Sequence, residues 1–288
     1  MPTTPLNLLP NFDAVNAKPV VLAPTQTIEL WIIGCGGTGS FLVQLLCRVA
    51  LALTAQGRTT KLVLVDPDHV EAKNVTRQCF CEAEVGLNKA QTLALRYSAA
   101  FGVTIEALAQ PFKPSMLLDS PYETRQVLCG CVDNAAARQT IAEAITPPRY
   151  RSLGSAWWID GGNSQHHGQV LVGNSSSVKL EDYSMDTFCE NLPMPTVQAP
   201  EMLTARPEEQ GLSGQSCAEL ALANAQSLMV NPQVATLMGR YVVDLLNNRL
   251  TQFATHFDQQ TGTMVSHYNT DASLAAVLAH AVNRPERA

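Results

Sequence analysis

"WIIGCGGTGS", residues 31–40, runs from an apolar stretch into glycines spaced G-x-G-x-x-G (Gly34, Gly36 and Gly39, with Gly37 among them), then into the polar opening of a helix. A strand that breaks at such a turn and resumes as a helix lets backbone N–H groups approach a phosphate at the helix N-terminus. The joint predicts an α/β fold. It does not separate a dehydrogenase from an enzyme that consumes a nucleotide, so that distinction rests on residues further along.

Upstream of the turn, "IELWII" (28–33) reads as a buried parallel strand. Downstream, "TGSFLVQLLCRVALAL" (38–53) carries apolar residues all along its length, which predicts a helix sandwiched within the protein rather than facing solvent. "KLVLVD" (61–66) is a second buried strand ending in Asp66, and the three segments form a β-α-β unit with the glycine turn at its first joint. Further along, residues 88–102 read as a helix, 103–112 as a strand, 125–133 as a strand, and 134–145 as a helix stopped by Pro147 and Pro148. "SLGSAWWID" and "GQVLVG" read as two more strands around the Gly-rich "GGNSQHHG". A long helix with an interruption at Pro232 covers 217–250, and "QFATHFD" with "TMVSHYN" forms a hairpin. The expected architecture is a three-layer, Rossmann-like α/β fold with a mostly parallel sheet and antiparallel C-terminal strands. Residues 1–27 would form an extended arm, and 28–288 a single domain with a functional or mobile loop at about 180–216.

The 288 residues are 46% hydrophobic and 15% charged, with a formal net charge of -6. That balance fits a soluble globular chain with a substantial core and argues against a dedicated nucleic-acid surface. Apolar runs are broken before membrane-spanning length and no secretory leader opens the sequence, so the expected location is cytoplasmic. Eight cysteines in a chain of this size read as thiols or metal ligands rather than as a disulfide framework.

The string "VDPDHVEAKNVTRQCFCEAEVGLNKAQ" (65–91) leaves generic ground. It resembles the ThiF, MoeB and ubiquitin-activating E1 superfamily, whose members carry a glycine turn, an aspartate closing the second strand, an N-x-x-R-Q element and a G-x-x-K helix start. Asn74, Arg77, Gln78, Gly86 and Lys89 stand in that order, and "VDNAAAR" supplies the family's D-N-x-x-x-R element as Asp133, Asn134 and Arg138. More narrowly, "WWIDGGNSQHHGQVLVG" is similar to the ThiF-type family of PRTRC plasmid-associated cassettes.

The resemblance implies an ATP-dependent adenylyltransferase: a carboxylate attacks the α-phosphorus of ATP, pyrophosphate leaves and an acyl-adenylate remains. The implied acceptor is a small ubiquitin-like protein ending in Gly-Gly, and the implied assembly is a homodimer. The expected ATP contacts are Gly34, Gly36, Gly37, Gly39, Asp66, Asp68, Asn74, Arg77, Gln78, Lys89, Asp133, Asn134 and Arg138, with Arg77, Lys89 and Asp133 catalytic. The chemistry of the residues agrees. Asp66 can accept from a ribose, two cations can neutralise a triphosphate, and Asp133 can hold Mg²⁺ between phosphate oxygens. Hydride transfer needs neither the cations nor the metal.

Plainer roles compete at each position: Asp133 and Asn134 as helix caps, Arg77 and Lys89 as surface charges, Gln78 and Arg138 as turn or surface residues. The zinc-holding C-x-x-C pairs of many relatives are absent, and Cys79/Cys81 and Cys129/Cys131 are C-x-C pairs, so no structural zinc is expected. Cys189 and Cys217 are candidate thiols for a thioester step, against a favoured reading as buried structural cysteines. No arginine precedes Arg48, and Lys18 is the arm's only cation, so the arginine that relatives send across a dimer interface is missing. Two other classes stay open: an NAD(P)-dependent oxidoreductase, motivated by the glycine turn with Asp66 alone, and a catalytically weak ThiF-like scaffold.

Overall fold

A computed structural model describes residues 11–118, 123–145, 156–183, 185–205 and 228–282. A short helix α1 (Phe12–Asn16) precedes the sheet. Strand β1 (Thr27–Ile33) leads through the glycine turn into α2 (Gly37–Ala55), followed by β2 (Thr59–Val65), α3 (Lys89–Phe101), β3 (Ile105–Leu108), β4 (Thr124–Gly130) and α4 (Ala135–Ile145). Strands β5 (Ala156–Asn163) and β6 (His167–Gly173) form a hairpin. After them come the one-turn α5 (Pro195–Gln198), α6 (Val230–Leu246), a second hairpin of β7 (Gln252–Asp258) and β8 (Thr263–Tyr268), and α7 (Asp271–Val282).

The eight strands form one sheet in the order β3-β2-β1-β4-β5-β6-β7-β8. The pairs β3-β2, β2-β1, β1-β4 and β4-β5 are parallel, and the remaining three are antiparallel. Chain order reverses between β1 and β4, the switch point where open α/β sheets leave a crevice beyond their carboxyl ends. Central β4 is buried along its whole length, as a strand covered on both faces must be.

Helices α2 and α6 pack side by side, with Gly239 of α6 against Leu42 and Leu45 of α2. Among the described helices only α2 is long and apolar enough to cross a membrane, and its burial against the sheet and α6 makes it a core helix. On β5, Gly161 faces Val234 and Met238 of α6, so the alternating neighbour Asp160 faces the opposite layer, where α4 lies.

Several expectations need correction. The arm is not merely extended: α1 is capped by Asn11, whose side chain accepts from Asp13 and Ala14, and Val20 is fully buried with its N–H donated to the Leu250 carbonyl. The 103–112 strand shrinks to four residues, because its partner β2 ends at Val65, opposite Leu108. "GGN" belongs to β5 rather than to the turn. Within the described part of the long loop, Tyr183, Cys189, Leu192 and Met194 are buried, so residues 183–194 contribute side chains to the core, while 206–216 lie outside the described residues. Pro232 sits in the first turn of α6, where its missing N–H costs nothing; α6 begins only at Val230, and the stretch of expected helix before residue 228 lies outside the described residues. Pro147, Pro148, Cys217 and the helix start expected there lie outside the described residues. Helix α7 was not anticipated.

Candidate nucleotide site

The glycine turn is built by steric exclusion. Gly34 has φ +90°, and a Cβ there would stand 2.7 Å from the Cys131 carbonyl oxygen. A Cβ on Gly39 would fall 1.9 Å from the Gly34 oxygen. Gly39 is therefore the packing glycine of the joint and, contrary to expectation, does not line the cleft. Gly36 caps α2 with no side-chain bond, so the first N–H groups of a 19-residue helix face the crevice uncapped.

Asp66 holds this turn from below. Its Oδ2 accepts the Cys35 N–H at 2.5 Å and its Oδ1 accepts the Asp68 N–H at 2.8 Å. Burial pushes its pKa up, while those backbone bonds and the nearby Lys89 charge pull it back. One of its neighbours fixes the next element: Asn88 donates to the carbonyls of Asp66 and Asp68, both at 3.0 Å, and caps α3 by accepting from Gln91. Lys89 is thereby held at the cleft wall, 3.1 Å from Asp68 Oδ2, with its side chain only 9% exposed.

Beyond the turn lies a cleft of about 640 Å³. Gly34, Gly36, Gly37, Asp66, Asp68, Asn74, Arg77, Gln78, Lys89, Asp133, Asn134 and Arg138 all line it, so the structure brings together every expected ATP contact except Gly39. Their engagement differs. Asn74 is buried, and its Oδ1 accepts the Glu71 N–H to shape its own loop. Asn134 caps α4 by accepting from Ala137, which is the plainer role weighed for it. Arg77 is partly exposed, with no ion pair among the described residues. Ser40 on α2 accepts the Cys79 N–H and so ties the Arg77 loop to the glycine turn. Asp133 is exposed at the rim, bonded to Asn134. Gln78 Oε1 is buried with no partner among the described residues, a polar atom left waiting for a donor.

Arg138 differs from the surface or turn residue weighed for it. It is buried, and its Nε lies 3.3 and 3.4 Å from the carboxylate oxygens of the fully buried Asp160. Burial pushes Asp160 up and the Arg138 charge pulls it down. Gly130 makes room for the pair, since a Cβ there would lie 2.9 Å from Asp160 Oδ1.

A second cavity of about 500 Å³ opens beside the first and shares Arg138 and Asn163 with it. Its other walls are the exposed-face residues of β5 to β8, among them Gln169, His256 and Val265, and the 3₁₀ turn Pro200–Leu203. Asn163 Nδ2 donates to Thr38 Oγ1 at 3.1 Å and to Asn231 Oδ1. Thr38, Asp160, Asn163 and Asn231 were missed as site residues. The D-x-G-N run containing Asp160 and Asn163 was the one available signal.

Cys189 is fully buried, and burial pushes its thiol up to about 11, so it is a packed side chain and not a poised nucleophile. Cys129 is likewise buried on β4, with its thiol pushed up to about 12. Lys18 does not reach the cleft; it pairs with Asp271 at 2.8 Å.

The ThiF family model matches residues 24–272, and the chain belongs to the ThiF family. Among solved structures it resembles Escherichia coli MccB with AMPCPP and MccA (TM-score 0.52, 16% identity, 89% of this chain and 65% of that one). It also resembles E. coli MccB with ATP (TM-score 0.51, 16% identity, 85% and 64%) and PaaA (TM-score 0.53, 16% identity, 85% and 64%). The chain thus spans just under two thirds of the length of these structures, and at such identity the likeness shows the shared fold. No curated protein matches the sequence.

Proposed function

We propose that this ThiF-family chain binds Mg-ATP in the larger cleft and adenylates the C-terminal carboxylate of a small protein or peptide that enters through the second cavity. The observation that carries this reading is the convergence of an uncapped helix N-terminus, Arg77 and Lys89 on one crevice, with the buried Gln78 Oε1 lacking a donor. Those donors suit a triphosphate, which brings more negative charge for them to balance than the diphosphate bridge of a nicotinamide dinucleotide. ATP and AMPCPP are among the ligands of the MccB structures, in one of which that biosynthetic enzyme is in complex with N-formylated MccA.

In this reading the acceptor carboxylate oxygen bonds to the α-phosphorus as the bond from that phosphorus to the β-bridging oxygen breaks, releasing pyrophosphate. Arg77 and Lys89 balance charge on the departing phosphates. Asp133, the rim carboxylate with the fewest commitments, would hold Mg²⁺, which screens the phosphate oxygens when bound. Arg138, at the boundary of the two cavities, sits where the incoming carboxylate meets the nucleotide. A Gly-Gly-ended ubiquitin-like acceptor, a homodimeric assembly, a cytoplasmic location and membership of the PRTRC ThiF-type group are the finer parts of the proposal, motivated by the motif resemblance.

Exchange of radiolabelled pyrophosphate into ATP, run with small Gly-Gly-ended proteins encoded near this gene, tests it. Acceptor-dependent exchange supports the reading. Thermal protection by NADH in preference to Mg-ATP overturns it.

A further inference from the structure

We infer that Asn231, on the first turn of α6, is a positioning residue that sets Arg77 and the head of α2 in the arrangement a triphosphate requires. The inference rests on the Mg-ATP reading of the larger cleft. Asn231 is 1% exposed and stands 154 residues along the chain from Arg77. An asparagine in a first helical turn usually bonds its own backbone. This one reaches out of its helix: its Nδ2 donates to the Arg77 carbonyl at 3.4 Å and its Oδ1 accepts from Asn163.

Asn163 in turn donates to Thr38, so a single chain of amides runs from the Arg77 loop through α6 and β5 to the opening of α2. The contact with α2 is also steric. A Cβ on Gly37 would stand 2.8 to 3.0 Å from three atoms of the Asn231 amide, so Gly37 is needed to seat that amide under the phosphate-facing turn. Asn231 itself does not line the cleft. It acts through Arg77, a partly exposed residue whose carbonyl it holds.

Because Arg77 serves the outer phosphates, loss of Asn231 should separate triphosphate from monophosphate affinity. The full-length chain is titrated calorimetrically with Mg-ATP and with AMP, as wild type, Asn231→Ala and Val234→Ala. Val234 lies one turn along α6, packs on Gly161 and, being apolar, takes no part in the hydrogen bonds of the amide network, so it reports the effect of loosening α6 alone. Asn231→Ala is expected to weaken Mg-ATP by about five- to tenfold, the scale of one buried hydrogen bond, with AMP shifted less than about twofold. Val234→Ala should lower Tm and leave the ATP-to-AMP ratio unchanged.

Should Asn231→Ala not fold, Asn231→Asp replaces it. It keeps the acceptor for Asn163 and turns the donor facing the Arg77 carbonyl into an acceptor, and the same loss of ratio is expected. An unchanged ratio in the Asn231 variant, or an equal loss in Val234→Ala, overturns the inference while leaving the nucleotide reading intact. A wild-type chain that binds AMP but not Mg-ATP overturns both.

Discussion

Asp66 on the loop after β2 and Cys35 in the turn after β1 are joined by a hydrogen bond of 2.5 Å from the Cys35 N–H to the carboxylate, with Asp66 only 4% exposed. The residue expected to meet a ribose is therefore also the strut of the phosphate turn. Asp66→Ala removes the acceptor for two backbone N–H groups, and the buried one, that of Cys35, costs about 1–3 kcal/mol when left unpaired. Denaturant unfolding should show a loss on that scale, and calorimetry should show weaker binding of AMP as well as of Mg-ATP, because the turn and the ribose acceptor fail together.

Arg77 and Lys89 should separate in their effects on stability. Arg77 is partly exposed, so Arg77→Ala is expected to keep Tm close to wild type while slowing pyrophosphate exchange by about a hundredfold, the usual loss for one transition-state donor. Lys89 is buried beside Asp68, so Lys89→Met should lower both exchange and Tm. Parallel exchange assays and thermal melts check the contrast; equal stability loss in both variants contradicts it.

The Arg138–Asp160 pair predicts a non-additive cycle. Arg138→Ala leaves a fully buried carboxylate without its cation, which costs about 3–5 kcal/mol. Replacing both partners with apolar residues, Arg138→Met with Asp160→Leu, should cost less than Arg138→Ala, since no buried charge is orphaned. Urea unfolding of these two variants beside the wild type reads this directly.

Glu84 sets a pH dependence. Burial pushes its carboxyl up, but hydrogen bonds and charge from Arg96 outweigh this and leave it below the ordinary glutamate value of 4.5. A carboxylate whose folded pKa is depressed contributes stability that is present above the unfolded value and lost as pH falls through the folded one. Glu84→Gln should therefore destabilise the protein at pH 7, and the gap from wild type should close as pH drops below about 4. Denaturant midpoints at pH 7, 5, 4 and 3 measure the gap, and a gap that widens on acidification refutes the assignment.

The β-α-β unit was readable because its cues are local. An unbroken apolar run marks a strand buried on both faces, and "GCGGTG" marks a turn that side chains would block; β1, α2 and β2 fall within a residue or two of the positions predicted. The cluster from Asp66 to Lys89 was readable for the same reason, since a short loop at one strand end cannot spread its residues far. Gly39 shows the limit of such reading. Expected among the ATP contacts, it is the third glycine of the spacing, the one whose missing side chain serves helix–strand packing, and its neighbours give it that role.

What the chain alone determined was the order of strands and helices, the phosphate-facing turn and the motif residues beside it, all of which depend on neighbours within a few positions. What folding decided was which distant side chains meet: Asp160 beneath Arg138, Asn231 against Gly37, and Cys189 buried beside Val20. Those pairings leave no period or spacing in the string of residues, because they arise only when the sheet and its covering helices exclude water from the space between them.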